Sequence, residues 1–434
     1  VKINGNFADN GGGIYLDGSM EFKNVFICNN STNSNGGGIY CTSSNSEFKN
    51  VSIHNNKSSN GGGVYFDNSK SQLTNVSVYH NKANYGGGVY FNTGSDLIIS
   101  SVSINNNIAT MGGGIYCMVA NMTLNNITIS NNFADLGGGI YTDRSSINIF
   151  QVTFINNKGN SHGDGIYIRL DMGNSANNCN FIRQDSSIYN NDNSVNINAT
   201  NNHFGNSSGP YHPTQNPSGK GDTVNAFVNI DPWLTEPDTS APPIPIQNLE
   251  VLNQGNDFVT LSWNESKLPD LNKYRIYYDT DTTDFFNYTD SIDVSKSDTS
   301  VTISGLSAGK TYYFAGITID NDGNKSWYSQ EISTVVKEAP LIFLNSDSLL
   351  FPTTLANDTT SLALNIKNTG TKELDITGLT ITSNNFITTQ NTMSISPSEN
   401  KKLEIIFEPK HYGTIIDTLT LKNNSINSPE IKVI

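Results

Sequence analysis

The sequence predicts an all-β chain, with a right-handed parallel β-helix of stacked coils over its first half and two β-sandwiches after it. Three observations predict this. A Gly-Gly-Gly-Ile/Val-Tyr string recurs with its first glycine at Gly11, Gly36, Gly61, Gly86, Gly112 and Gly137, and a degenerate copy begins at Gly163; the intervals are 25, 25, 25, 26, 25 and 26 residues. Within each repeat apolar and polar residues alternate with period two, which marks strands with one buried face, and helical spacing is absent. Beyond about residue 245 the repeat gives way to short alternating runs set apart by turn residues, as in sandwiches.

The phase of each coil follows from its columns. Ile14, Ile39, Val64, Val89, Ile115, Ile140 and Ile166 line up after the glycines. Two residues on come Leu16, Cys41, Phe66, Phe91, Cys117, Thr142 and Ile168. A second stretch points Phe22, Phe48, Leu73, Ile99, Leu124 and Ile149 inward, then the columns that start at Val25 and Ile27. The Ser and Thr residues between those last two columns are expected to face water. One coil cannot bury its own apolar row, whereas coils stacked about 4.8 Å apart bury a continuous one. Asn6, Asn30, Asn56, Asn81, Asn107, Asn132 and Asn157 fill one turn column without exception. Asparagine suits left-handed corners, and stacked amides bond from coil to coil. The residue two further on is small in every coil, from Ala8 to Gly159.

The regular repeat fades after Tyr167, and the β-helix with its C-terminal cap is assigned to residues 1–234. An open coil end is an unpaired edge that must be covered. Gly209-Pro210-Tyr211-His212-Pro213 and Pro232-Trp233-Leu234 supply the prolines, glycines and large aromatic of such a cover, and this stretch resembles the closing segment of bacterial β-helix proteins. His203 and His212 are expected to pack in it. Residues 235–245, rich in Pro, Thr and Ser, read as a linker. Residues 246–337 resemble a fibronectin type III domain on Val259-Thr260-Leu261-Ser262-Trp263, Tyr274-Arg275-Ile276-Tyr277-Tyr278 and Leu306-Ser307-Ala308-Gly309-Lys310-Thr311-Tyr312. The resemblance makes Trp263 the core tryptophan and Tyr312 the corner tyrosine. Residues 340–434 resemble the immunoglobulin-like ASPM/SPD-2/Hydin class, on Lys367-Asn368-Thr369-Gly370 and Phe407-Glu408-Pro409. Both ends stop inside repeats or strands, so the chain is expected to be a piece of a longer protein whose last sandwich is truncated.

Composition bounds the partners. The formal net charge is −14 with no basic patch, which argues against nucleic acid and anionic membranes. No apolar run approaches the roughly 18 residues of a spanning helix. Cys41 and Cys117 share a column three coils apart, too far for a disulfide, and all four cysteines (with Cys28 and Cys179) read as free. No cofactor is called for. A metal site is not expected either: Asp17, Asp67 and Asp143 share a column but not adjacent coils, and Cys28 and His54 are two ligands only. Asp320-Asn321-Asp322-Gly323-Asn324 reads as a hairpin turn rather than a calcium loop.

The Gly-Gly-Gly-Ile-Tyr string, together with Phe154-Ile155-Asn156-Asn157, resembles the repeat of the polymorphic outer-membrane protein group. It departs from that repeat in its third glycine and near-constant tyrosine. The resemblance implies a β-helical domain on a bacterial surface, linked to adhesion.

Two candidate sites stand out. Tyr15, Tyr40, Tyr65, Tyr90, Tyr116, Tyr141 and Tyr167 form an outward stripe, beside a column holding Asp17, Thr42, Asp67, Asn92, Met118, Asp143 and Arg169. Aromatic faces beside carboxylates and amides suit sugars, while stacked rings also simply stabilise a sheet. The second is a charged cluster where the repeat degenerates: Asp143, His162, Asp164, Arg169 and Asp171. Asp143 and Asp171, one coil apart and two residues offset, are expected about 8 Å apart at Cα, a spacing inverting glycosidases use between carboxyls. An Asp143–Arg169 cross-coil ion pair is the plainer reading. The expectation is therefore a secreted or surface-exposed bacterial protein, monomeric and non-enzymatic, that meets an extracellular glycan or a host or neighbouring cell. The alternative is a polysaccharide lyase or glycoside hydrolase, since some polysaccharide-degrading enzymes use parallel β-helices.

Overall fold

The repeat folds as its apolar columns demand. The computed structural model describes residues 1–266, 268, 270–280 and 288–434, and among these there is no helix. The three- or four-residue strand after each glycine triplet (Ile14–Asp17, Ile39–Thr42, Val64–Asp67 and successors) joins a ten-stranded sheet, and the longer strands (Glu21–Cys28, Glu47–His54, Gln72–Tyr79 and successors) join an eleven-stranded one. Pairing between coils is parallel and keeps every column in register, as in Ile39↔Val64, Tyr40↔Tyr65 and Cys41↔Phe66. A third, narrow ribbon runs along one corner through single bridges such as Lys57↔Lys82 and Lys82↔Ile108. Between the two large sheets lies one continuous core in which Ile27, Ile53, Val78, Ile104, Ile129 and Phe154 are fully buried.

Each glycine of the triplet meets a separate demand. Gly61 takes φ +63°, a left-handed corner that side chains resist. A Cβ on Gly62 would fall 2.3 Å from the Gly87 carbonyl oxygen of the next coil, and one on Gly63 would fall 2.6 Å from that of Gly88. A side chain at Gly62 or Gly63 would therefore collide with the backbone of the next coil.

The asparagine column forms the expected ladder, with Nδ2 donating to the next Oδ1 at 3.0–3.1 Å from Asn6 through Asn157. The left-handed residue is not the ladder asparagine, however, but the one before it. Asn29, Asn55, His80, Asn106, Asn131 and Asn156 carry φ of 51–55°. A further left-handed column (Asn24, Asn50, Asn75, Ser101, Asn126, Gln151) bends each long strand in the middle. It escaped the sequence reading because its residue types vary.

The chain divides into two compact units, residues 1–250, 263–299 and 313–332 in the first and 251–262, 300–312 and 333–434 in the second. In the first unit the stretch assigned as the cap contributes one aromatic to the packing. Trp233 packs against the core, and a Cβ on Gly209 (φ +76°) would lie 2.6 Å from its ring. The stretch read as a linker is not surrounded by solvent. Residues 241–246 are buried, Asp238 exchanges hydrogen bonds with Asn180, and Gln151 Nε2 donates to Ser240 Oγ at 2.7 Å. The same unit includes antiparallel strands of the fibronectin-like region, Leu271–Asp279 with Asp290–Ser295 and with most of Thr311–Asp320. The serines and threonines expected to face water, Ser52, Ser77, Ser103, Thr128 and Thr153, are buried. Trp263 meets Tyr274 edge-on at 5.3 Å.

In the second unit Ser307 N donates to Tyr312 Oη at 3.1 Å, which closes the expected tyrosine corner. Residues from Ile342 to Val433 form two four-stranded antiparallel sheets around a core that includes Leu364, Ile376, Ile395, Leu403 and Leu421.

Candidate functional site

The tyrosine column projects from the ten-stranded sheet, outside the main core. Parallel stacking at one ring per coil sets the ring spacing near the thickness of a π-stack. Centroids are 5.2, 5.3, 4.7, 4.8, 4.9 and 5.2 Å apart from Tyr15 to Tyr167, all stacked. The stack continues at 5.6 Å to Tyr189, which the sequence reading missed because the last coils are shorter. Each interior ring has both faces taken by its neighbours. Tyr65, Tyr90, Tyr116, Tyr141 and Tyr167 are only 4–7% exposed, with Met111, Met118 and Leu136 against their flank, and Tyr40 is half-buried. Tyr15, at 57%, keeps an open face. The 4.8 Å strand spacing already carried this signal, since nothing fits between rings so placed. Burial, then the neighbouring phenols and Asp143, push the Tyr116 hydroxyl well above the usual phenol range, so it stays protonated.

The charged cluster is consumed by the fold. Asp143 is 1% exposed, and its Oδ2 accepts from Arg169 Nη1 at 2.9 Å and Arg144 Nη2 at 3.4 Å. Its Oδ1 is buried without a hydrogen bond. Asp171 pairs in register with Ser145, two residues beyond Asp143 as expected. Its Oδ1 accepts from Gly173 N, Asn174 N and Asn174 Nδ2, which makes it the closing group of a turn. Asp164 stands in place of the middle glycine of the triplet, where its Oδ1 accepts from Gly159 N at 2.8 Å and its Oδ2 from Ser186 N at 3.0 Å. His162 lies exposed against Tyr189, rings stacked at 4.2 Å. Arg169 is thus the one member the structure joins to Asp143. Asp143 thus sits in an ion pair and Asp171 caps a turn.

Histidines of the cap hold backbone. His212 Nδ1 accepts from Thr214 N at 3.1 Å and Gln215 N at 2.9 Å, and His203 Nδ1 lies 3.3 Å from the Leu234 carbonyl oxygen. The cysteines are free and buried, and burial pushes the Cys179 thiol up to about 12. Among the described residues no three His, Cys, Asp or Glu side chains gather as a metal site. Asp320 Oδ1 accepts from Asp322 N and Asn324 N, which is the turn expected of that loop.

Besides a cavity of about 480 Å³ in the first unit, lined by residues such as Asn106, Asn131, Arg183 and Asn264, two cavities stand near the size of ligand sites. One of about 780 Å³ opens in the second unit, walled by apolar side chains such as Leu349, Phe351, Phe386, Phe407 and Ile416. The other, about 280 Å³, lies in the first unit where Asn126 and Thr128 of the long-strand sheet face Tyr277, Lys325, Trp327 and Tyr328.

Comparison with known proteins matches three stretches of the chain. Residues 1–158 match the family model of the right handed beta helix region. Residues 244–335 match the fibronectin type III domain, and 340–434 the HYDIN/CFA65/VesB-like, Ig-like domain. The chain is a right-handed β-helix followed by a fibronectin type III domain and a HYDIN-like immunoglobulin domain. No curated protein matches it. Similar solved structures include the ASH/PapD-like domain of human CEP192, 16% identical over 24% of this chain and 89% of that one, TM-score 0.20. The third fibronectin III domain of human KIAA0343 protein is 17% identical over 22% of this chain and 84% of that one, TM-score 0.19. A protein of unknown function from Porphyromonas gingivalis is 15% identical over 44% and 94%, TM-score 0.20. These likenesses cover parts of the chain and say nothing of what the β-helix does.

Proposed function

We propose that this is a non-catalytic structural and adhesive protein, secreted or displayed on a bacterial cell surface. In this reading the β-helix is a stiff rod and the two sandwiches are spacers. The observation that supports it most is the fate of the charged cluster, in which the carboxylates that could have formed an acid–base pair are committed to an ion pair and to turns. Unbroken asparagine and tyrosine ladders fit a domain selected for stiffness. Fibronectin and immunoglobulin-like domains are common outside cells, and no helix here is long and apolar enough to cross a membrane. The repeat's likeness to outer-membrane surface proteins supports the bacterial surface. The protein acts as a monomer and meets glycan on another surface. On the tyrosine stripe that contact uses ring edges and hydroxyls.

Protease treatment of intact cells of the source organism tests the placement. The reading expects fragments of this chain to be released before any cytoplasmic protein is degraded. Full protection until the cells are lysed contradicts it.

A further inference from the structure

The smaller cavity has the chemistry that the tyrosine stripe lacks. It is built where the long-strand sheet of the β-helix meets fibronectin strands, all within the first unit. Three features point to a ligand. Thr128 is 3% exposed and lines the cavity, yet its hydroxyl has no hydrogen-bond partner. A buried hydroxyl left unpaired costs free energy unless water or a ligand satisfies it. Two residues before it, Asn126 belongs to the column whose amides bond coil to coil, Asn50 to Asn24 at 3.1 Å and Asn75 to Asn50 at 3.3 Å. Ser101 interrupts that ladder, and the exposed Asn126 amide makes no hydrogen bond among the described residues. Opposite stand half-buried aromatic rings, Tyr328 edge-on to Tyr277 at 5.2 Å and to Trp327 at 5.1 Å.

We propose that this cavity binds one ring of an acidic saccharide, a uronate. An aromatic wall suits the C–H face of a pyranose, and an amide and a hydroxyl suit its hydroxyls. At about 280 Å³ the cavity lies just below the range of drug-sized sites, roughly 300–1,000 Å³, and so suits a single sugar ring. Charge selects the acidic class. The chain carries −14 overall, but the lining holds Lys325 and no carboxylate. Lys325 makes no ion pair among the described residues, and its ammonium is placed to meet the sugar carboxylate at the mouth. The proposal rests on the adhesive reading for its ligand class and moves the contact from the tyrosine stripe to this cavity.

The test is titration of the whole chain with a galacturonate trisaccharide and, separately, with a neutral glucose trisaccharide, read by tryptophan fluorescence and calorimetry. Saturable binding of the acidic sugar is expected, with weaker binding of the neutral one. Lys325→Gln should weaken the acidic sugar about tenfold and leave the neutral one unchanged. Thr128→Val, which keeps shape and removes only the hydroxyl, should weaken both about three- to tenfold. Thermal unfolding of each variant shows that the fold is kept. Acidic-sugar binding that ignores both substitutions but falls with Tyr15→Ala overturns the cavity and leaves the adhesive reading standing. Equal binding of the two sugars overturns the uronate assignment. No binding of either sugar overturns the proposal and leaves a cavity filled by ordered water.

Discussion

A single asparagine shows how much one residue carries in this fold. Asn107 Nδ2 donates to Asn132 Oδ1 at 3.0 Å and to the Val78 carbonyl at 2.9 Å, while its own Oδ1 accepts from Asn81 N and Nδ2. Asn107→Ala would strand several buried groups at once. We expect a loss of about 3 kcal/mol or more by chemical denaturation. Asn6→Ala, which removes one side-chain hydrogen bond to Asn30 at an exposed position, should cost under about 1 kcal/mol. These side chains were legible in the sequence because every coil repeats them. The roles of Asp164 and Asp171 were not, because a carboxylate that closes a turn has the same sequence signature as one that awaits a substrate.

At the scale of the element, the glycine triplet and the cap make separate predictions. A Cβ on Gly113 would lie 2.5 Å from the Gly138 carbonyl oxygen and 2.6 Å from that of Phe133. Gly113→Ala should therefore cost about 3 kcal/mol or more, since backbone on both sides has to move. Gly378→Ala, with nothing within 4 Å, should change stability by less than about 0.5 kcal/mol in the same denaturation series. In the cap, burial pushes the Asp222 carboxyl up to about 7, against the hydrogen bonds it accepts from Gln184 N and Ser187 Oγ. A carboxyl raised on folding is protonated in the folded state where the unfolded chain has lost its proton. Stability from this group is thus lost as pH rises from the ordinary carboxylate range through about 7. Asp222→Asn should therefore raise the thermal midpoint, relative to the unchanged chain, more at about pH 8 than at about pH 5. The register of the strands was legible because period two and period 25 coincide in every coil. The left-handed column from Asn24 to Gln151 was not, because asparagine, serine and glutamine share it.

At the scale of the molecule, the order of domains could be read directly from the sequence, but their association in the first unit could not. The Ser and Thr column was expected in water, yet it is buried, and Thr128 lines a cavity with Tyr277 and Lys325 far downstream, which local alternation cannot reveal. Residues 241–245, within the stretch 235–245 read as a linker from composition, are buried. Limited digestion with proteinase K under native conditions should therefore spare residues 238–246, and a rapid cut there would contradict this packing.

The claim on which the account rests is that the charged cluster of Asp143, His162, Asp164, Arg169 and Asp171 serves the fold rather than a reaction. The direct measurement is incubation of the chain with a panel of acidic and neutral polysaccharides while new reducing ends and new unsaturated ends are counted. The account predicts none above a no-protein control. New ends that disappear in Asp143→Asn or Asp171→Asn would contradict it and make the protein a polysaccharide-cleaving enzyme.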